Sequence, residues 1–180
     1  GETGATWTRH PSATADAVLT AGGRLRKEDT SALAIYLASG VPLTANYRVE
    51  ATVVAQSVVA NDQACVLGRL DASAATGYAA CYDQNSGSWT LLSVVSGTST
   101  TLGAFAQSFP AGSSRRVGLD LAGTTIRVLV DGVAVISATS SSITAAGRGG
   151  LMLGPTTGTT TQTDATGLQL DDFQIGRAHV

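Results

Sequence analysis

The stretch Arg115–Ala138, RRVGLDLAGTTIRVLVDGVAVISA, decides the fold class of this chain. It divides into three short runs, Arg115–Leu121, Thr125–Val130 and Val133–Ala138, joined by Ala122–Gly123–Thr124 and by Asp131–Gly132. Asp-Gly between two alternating apolar runs is the strongest short-range hairpin signal, because both turn positions need positive φ. Three strands this close together rule out most helical architectures and predict an antiparallel sheet.

The same pattern extends in both directions. Strand-like runs occupy Ala32–Leu37, Tyr47–Val58, Ala64–Leu70, Tyr78–Tyr82, Trp89–Val95 and Thr101–Ala106, and then Gly150–Leu153 and Gly167–Ile175. Between them lie turn clusters at Ala60–Asn61–Asp62, Asp83–Gln84–Asn85–Ser86–Gly87 and Ser96–Gly97. Short strands at this spacing indicate a sandwich or barrel. Ser12–Leu19 is the best helical candidate, and Thr14 and Gly22–Gly23 weaken it. Thr156–Thr166 (TTGTTTQTDAT) is low in complexity and reads as an exposed loop. Gly1–Thr8 is loop-like, so the last strand has no evident neighbour. An open edge invites another chain. The expectation is a strand supplied from upstream of Gly1 or by another subunit, in a possible homo-oligomer.

Composition narrows the function classes. A chain of 180 residues fits one domain. It is 43% hydrophobic and only 13% charged, with a formal net charge of −2. Nucleic-acid binding needs clustered basic residues, and Arg115–Arg116 is the only adjacent arginine pair, so that class is excluded. No run of 18 apolar residues spans a membrane. Lys27 stands as the sole lysine, which carries no functional weight.

Several segments carry a resemblance. Arg48–Val53, Gly68–Arg69, Tyr78–Asp83, Gly87–Trp89, Val130–Gly132 and the closing Asp171–Asp172–Phe173 resemble the concanavalin A-like lectin/glucanase superfamily. Within it they look most like the laminin G-like jelly rolls of phage virion and bacterial surface proteins. The resemblance covers roughly Trp7 to Gly176 and implies an all-β jelly-roll sandwich of two antiparallel sheets, with the concave sheet as the usual ligand platform. It is specific for fold and weak for function, because this fold hosts lectins, hydrolases, adhesion modules and structural domains.

Hydrolysis requires two carboxylates on one face. The glutamates are Glu2, Glu28 and Glu50, none with an acid two residues away, and adjacent Asp171 and Asp172 point to opposite faces of a regular strand. His10 and His179 sit near the two ends, and no G-x-S-x-G elbow occurs. The residues therefore argue against an enzyme. A sugar-binding face is the alternative, since rings stack on sugars while polar side chains bond the hydroxyls. Tyr78 and Tyr82 share a face by alternation, and Trp89 joins them if it pairs with Tyr82. The competing reading places these rings in the core, because nine aromatics are few for a sandwich of this size. Arg69 either pairs with Asp71 or Asp83 or projects toward a ligand.

Cys65 and Cys81 fall opposite each other if Arg69 pairs with Gly77, which allows a disulfide; two free buried thiols remain the alternative. That register also puts Arg69 on the face away from Tyr78 and Tyr82. Calcium is common at the rim of such folds, and the resemblance implies Asp171 or Asp172 as its ligand. No D-x-D-x-D-G loop accompanies them and Glu2 is the only acid before Asp16, so the expectation is no cofactor. The reading is a non-catalytic binding or adhesion module recognising surface glycans, on a virion or the outside of a cell. The alternative is a structural virion protein whose partner is a protein.

Overall fold

The computed structural model describes residues 6–28, 33–40, 42–57, 62–154 and 162–177. It is an all-β jelly-roll sandwich of two seven-stranded sheets, and no helix occurs among the described residues. The first sheet runs in the order β1 (Trp7–Arg9), β4 (Ala34–Ala38), β13 (Arg148–Leu153), β6 (Gln63–Leu70), β7 (Gly77–Asp83), β8 (Ser88–Val95) and β9 (Thr98–Ala106). The second runs β12 (Val133–Thr139), β11 (Thr125–Val130), β10 (Ser113–Ala122), β5 (Tyr47–Ala55), β14 (Leu168–Arg177), β3 (Leu25–Lys27) and β2 (Ala17–Leu19).

The opening hairpin forms as its residues dictate. Val130 pairs with Val133, and Asp131 (φ 50°) and Gly132 (φ 82°) occupy the positive-φ turn positions. Asp131 adds a carboxylate oxygen that accepts the Arg116 N–H at 3.0 Å, locking the turn to β10. Alternation then sorts the side chains. Val117, Leu119 and Leu121 of β10 and Ile126, Val128 and Val130 of β11 face inward with Tyr47, Val49, Ala51 and Val53 of β5. Burying each such aliphatic side chain stabilises the sandwich by about 1.5–3 kcal/mol.

The first sheet buries residues on both faces around β4, β6 and β7. Ile35, Leu37, Cys65, Leu67, Ala79 and Cys81 turn away from the main core, yet they are buried in a second apolar cluster with Ala13 and Leu70. This explains why β6 and β7 read as almost unbroken apolar runs rather than alternating ones.

The N-terminal third departs from expectation. Ser12–Leu19 forms no helix; the segment from Trp7 to Lys27 carries three short strands instead. They have too few residues for a periodic signal. Their pairing comes from distant partners: β1 on β4, and the β2–β3 hairpin on β14 through Leu170↔Leu25. The outer edge of the last strand, expected to be open, is therefore covered by β3. The free edges on the opposite side are β9 and β12. They lie against each other, and a Cβ at Gly103 would come within 2.6 Å of Ile136 Cγ2. Neither strand contains a charged residue or a proline. Parts of the Thr156–Thr166 and Ala60–Asn61–Asp62 loop readings fall on residues 155–161 and 58–61, outside the described residues.

Candidate functional site

The structure places the four residues expected to bind carbohydrate in the interior. Tyr82 pairs with Trp89, so Tyr78, Tyr82 and Trp89 do share one face, and it is the inward one. Their exposures are 1%, 2% and 0%. The Tyr82 ring lies 4.8 Å from Trp89 and 4.5 Å from Phe109. Trp89 Nε1 donates to Gln107 Oε1 at 2.8 Å, and the Tyr78 hydroxyl donates to Ser140 Oγ at 2.9 Å. With their polar atoms spent on protein, these rings are packing, and no sugar reaches them.

Arg69 corrects the face assignment as well as the role. It sits at φ 48°, where β6 bulges against β13, so strict alternation fails and its guanidinium lies 5.8 Å from the Tyr78 ring centroid. It pairs with neither Asp71 nor Asp83. Instead it donates to three backbone carbonyls, Ala45 (2.9 Å), Ile143 (2.7 Å) and Gly123 (2.8 Å), and so ties three loops at one end of the sandwich. Its own backbone N–H donates to the Tyr47 hydroxyl, which donates in turn to Gly147 O at 2.9 Å. Burial pushes the Tyr47 phenol up to about 12 and holds Arg69 below its ordinary value. Gly147 admits no side chain here, since a Cβ would lie 2.4 Å from the Arg69 carbonyl carbon.

Cys65 and Cys81 stand opposite each other on β6 and β7 and form a disulfide. The bond lies on the outer face of the first sheet, back to back with the interior rings. A cleft of about 540 Å³ opens nearby over Ile35, Leu67, Ala79, Leu92 and Met152. Its imidazole, His10, is already engaged: Nε2 donates to Asp71 O at 3.0 Å, and Nδ1 accepts the Ser12 N–H at 3.0 Å. Ser12, Gln63 and Ser99 also line this cleft, which holds no exposed ring and no carboxylate.

The rim of the sandwich between β1 and β3 sets rings beside carboxylates. Trp7, on the edge strand β1, is 38% exposed, and its ring meets Phe173 edge-on with centroids 4.8 Å apart. Phe173 is turned there by a bulge in β14 between Asp171 and Gln174, where Asp172 sits at φ 50°. Trp7, Phe173, Tyr36 and Leu19 line a cleft of about 300 Å³ together with Asp171 and Asp172. Tyr36 is fixed by its hydroxyl, 3.4 Å from Asp16 Oδ1. Asp171 Oδ1 accepts the Asp172 N–H at 2.9 Å, while Oδ2 lies 3.6 Å from Arg24 Nε. The bulge cancels the alternation that would have sent the two carboxylates to opposite faces.

Sequence reading missed Trp7, because the segment carrying it shows no strand periodicity. The signal was a large ring beside an otherwise polar N-terminus. Asp171 and Asp172 supply at most four of the six to eight oxygens that a calcium ion takes. A guanidinium neutralises one of them, and the described residues contain no group of three acidic, His or Cys side chains placed for a metal.

No family model matches the chain, and no curated protein matches it in sequence. Solved structures do match. The carbohydrate-binding module CBM66 from Bacillus subtilis aligns with a TM-score of 0.75 at 15% identity, over 94% of each chain. The exoplasmic/lumenal domain of VIP36, in its Ca2+/Man-bound form, aligns at 0.69 and 10% identity over 97% of this chain and 84% of that one. The Bacillus licheniformis β-glucanase aligns at 0.69 and 11% identity over 100% and 94%. The chain has the concanavalin A-like jelly-roll fold. At these identities the likeness speaks for fold alone.

Proposed function

We propose that this chain is a non-catalytic glycan-binding module that receives a sugar ring in the Trp7–Phe173 cleft. One observation carries the reading: a half-exposed indole, braced by a second ring, lines the same cleft as two carboxylates. Rings stack on the C–H faces of sugars, and carboxylates accept their hydroxyls. The structural neighbours support it, being a carbohydrate-binding module and a mannose-bound domain among others. A glucanase neighbour raises hydrolysis. Against that, Asp171 is paired with Arg24, Glu50 with Arg116 at 3.2 Å, and Asp120 with Arg48 at 3.1 Å, so these acids serve ion pairs. The disulfide supports an oxidising setting such as a virion or cell surface.

A glycan array with the isolated protein tests this, with the Trp7→Ala variant as its control. Binding by the parent and its loss in the variant, at equal melting temperature, support the module. Absence of any glycan ligand overturns it.

A second reading, a structural protein acting through protein contacts, draws on β9 and β12, whose adjoining uncharged edges lack the usual guards against strand addition. Concentration-dependent assembly in light scattering supports that reading, and a monomer at every concentration removes it.

A further inference from the structure

A second hollow adjoins the aromatic cleft on the other side of the same two carboxylates. On the outer face of the second sheet, Asp171 pairs with Thr52 and Val54 pairs with Ser114, so β14, β5 and β10 turn these residues the same way. Around them lies a polar hollow of about 480 Å³, which Arg24, Gln56 and Ser113 also line. Its end at Gly112 is open, since a Cβ there would meet nothing within 4 Å.

The two clefts are complementary. The first has rings and no hydroxyl side chain other than that of Tyr36, which is engaged with Asp16; the second has hydroxyls, the one amide of Gln56 and no ring. Asp171 and Asp172 line both, and the β3 segment walls both, with Gly23 and Leu25 on one side and Arg24 on the other. Among the described residues, the hydroxyls of Thr52 and Ser114 and the carboxylate of Asp172 make no side-chain hydrogen bond. They stand as free partners for a ligand. Each hollow falls within the usual size of ligand pockets, about 300–1,000 Å³.

We infer that the two clefts are subsites of one site, so that the ligand is a neutral oligosaccharide of two or more units lying across the Asp171–Asp172 ridge. One unit stacks on Trp7 and the next bonds Thr52 and Ser114. Neutrality follows from charge. The ridge holds two carboxylates against one Arg24, and Arg116, next along the row, is held by Glu50 at 3.2 Å. A uronate or sialate would meet net negative charge.

This inference rests on the glycan reading above, and the test separates the two. An array of neutral, uronate-containing and sialylated oligosaccharides identifies the ligand, which is then titrated by calorimetry beside its own monosaccharide. The two-unit ligand is expected to bind about tenfold more tightly than the monosaccharide, the contribution of one or two hydrogen bonds. The double variant Thr52→Ala, Ser114→Ala should reduce the longer ligand to the monosaccharide's affinity, while Trp7→Ala weakens both. Equal affinity for both lengths, or no effect of the double variant, overturns the second subsite and leaves the glycan reading standing. Array hits confined to anionic glycans overturn neutrality. A parent protein that binds no glycan overturns both readings together.

Discussion

The two tryptophans of this chain stand for two regions built from the same chemistry toward opposite ends. Trp89 is wholly enclosed with Tyr82 and Phe109, on a strand that pairs along its length with β7 on one side and β9 on the other. Trp7 braces a single ring, Phe173, on a three-residue strand at the sheet edge. The difference is neighbours rather than residue type. An aromatic flanked by long paired strands on both sides is packing. One on a short edge strand keeps a face for something else.

Truncation of the interior ring is the largest expected effect. Trp89→Ala should cost about 3–5 kcal/mol, as buried aromatic-to-alanine changes do, with an added penalty for Gln107 Oε1 losing its donor. Denaturant unfolding measures it. A cost below about 1 kcal/mol, with glycan binding lost, would reverse the roles assigned to the two regions.

Next comes the disulfide on the far face of β6 and β7. Cys65 and Cys81 are 16 residues apart, and opening a loop of that size should cost about 3 kcal/mol. If the sandwich itself holds the interior rings, the Cys65→Ala, Cys81→Ala double variant keeps the near-ultraviolet circular dichroism of Trp89 at room temperature. Loss of that signal in a protein that stays folded would make the cross-link, not the packing, the support of the interior region.

These two regions also mark how far the sequence could be read. The strands from Ala34 to Arg177 follow from alternation, or in β6 and β7 from short unbroken apolar runs, bounded by turns such as Asp131–Gly132 and Ser96–Gly97. The Tyr82↔Trp89 and Cys65↔Cys81 registers were each one of two alternatives that the sequence left open, because alternation fixes which residues share a face but not the slip between strands. Arg69 was not legible, since a single bulge turned its side chain to the opposite face, and bulges follow from the neighbouring strand β13 rather than from β6 itself. Trp7 was hidden because three-residue strands exist only through pairing with partners distant in sequence. The candidate site lies where these two failures of local pattern, a bulge at Asp172 and a short edge strand, coincide.

At the rim the expected effect on stability is smaller. Trp7→Ala should lower stability by about 1 kcal/mol or less, as for a partly exposed side chain, and weaken glycan binding at least about tenfold, or ~1.4 kcal/mol. Acrylamide quenching separates the regions directly: Trp7 should be readily quenched in the parent, and the Trp7→Phe variant, with Trp89 alone, should resist. Equal quenching of both forms would erase the distinction.

The smallest effect is the pH dependence contributed by Asp71, in the loop after β6. The Asp71 carboxylate accepts the N–H groups of Ala74 and Ser73, each at 2.8 Å, and these bonds hold its pKa down to about 2. In the unfolded chain the group returns to about 3.9. A depressed carboxylate stabilises the folded state above the unfolded value, and that contribution fades as pH falls through the folded one. Stability should therefore slope downward between about pH 4 and pH 2. The Asp71→Ala variant, less stable than the parent above that window, should converge with it below. Asp71 O also holds the buried His10 ring at 3.0 Å, one residue beyond β1. Acid should accordingly raise the quenching of Trp7 before that of Trp89. Simultaneous change at both tryptophans would mean that rim and interior open as one unit, and the short edge strand would then be as firmly built as the core.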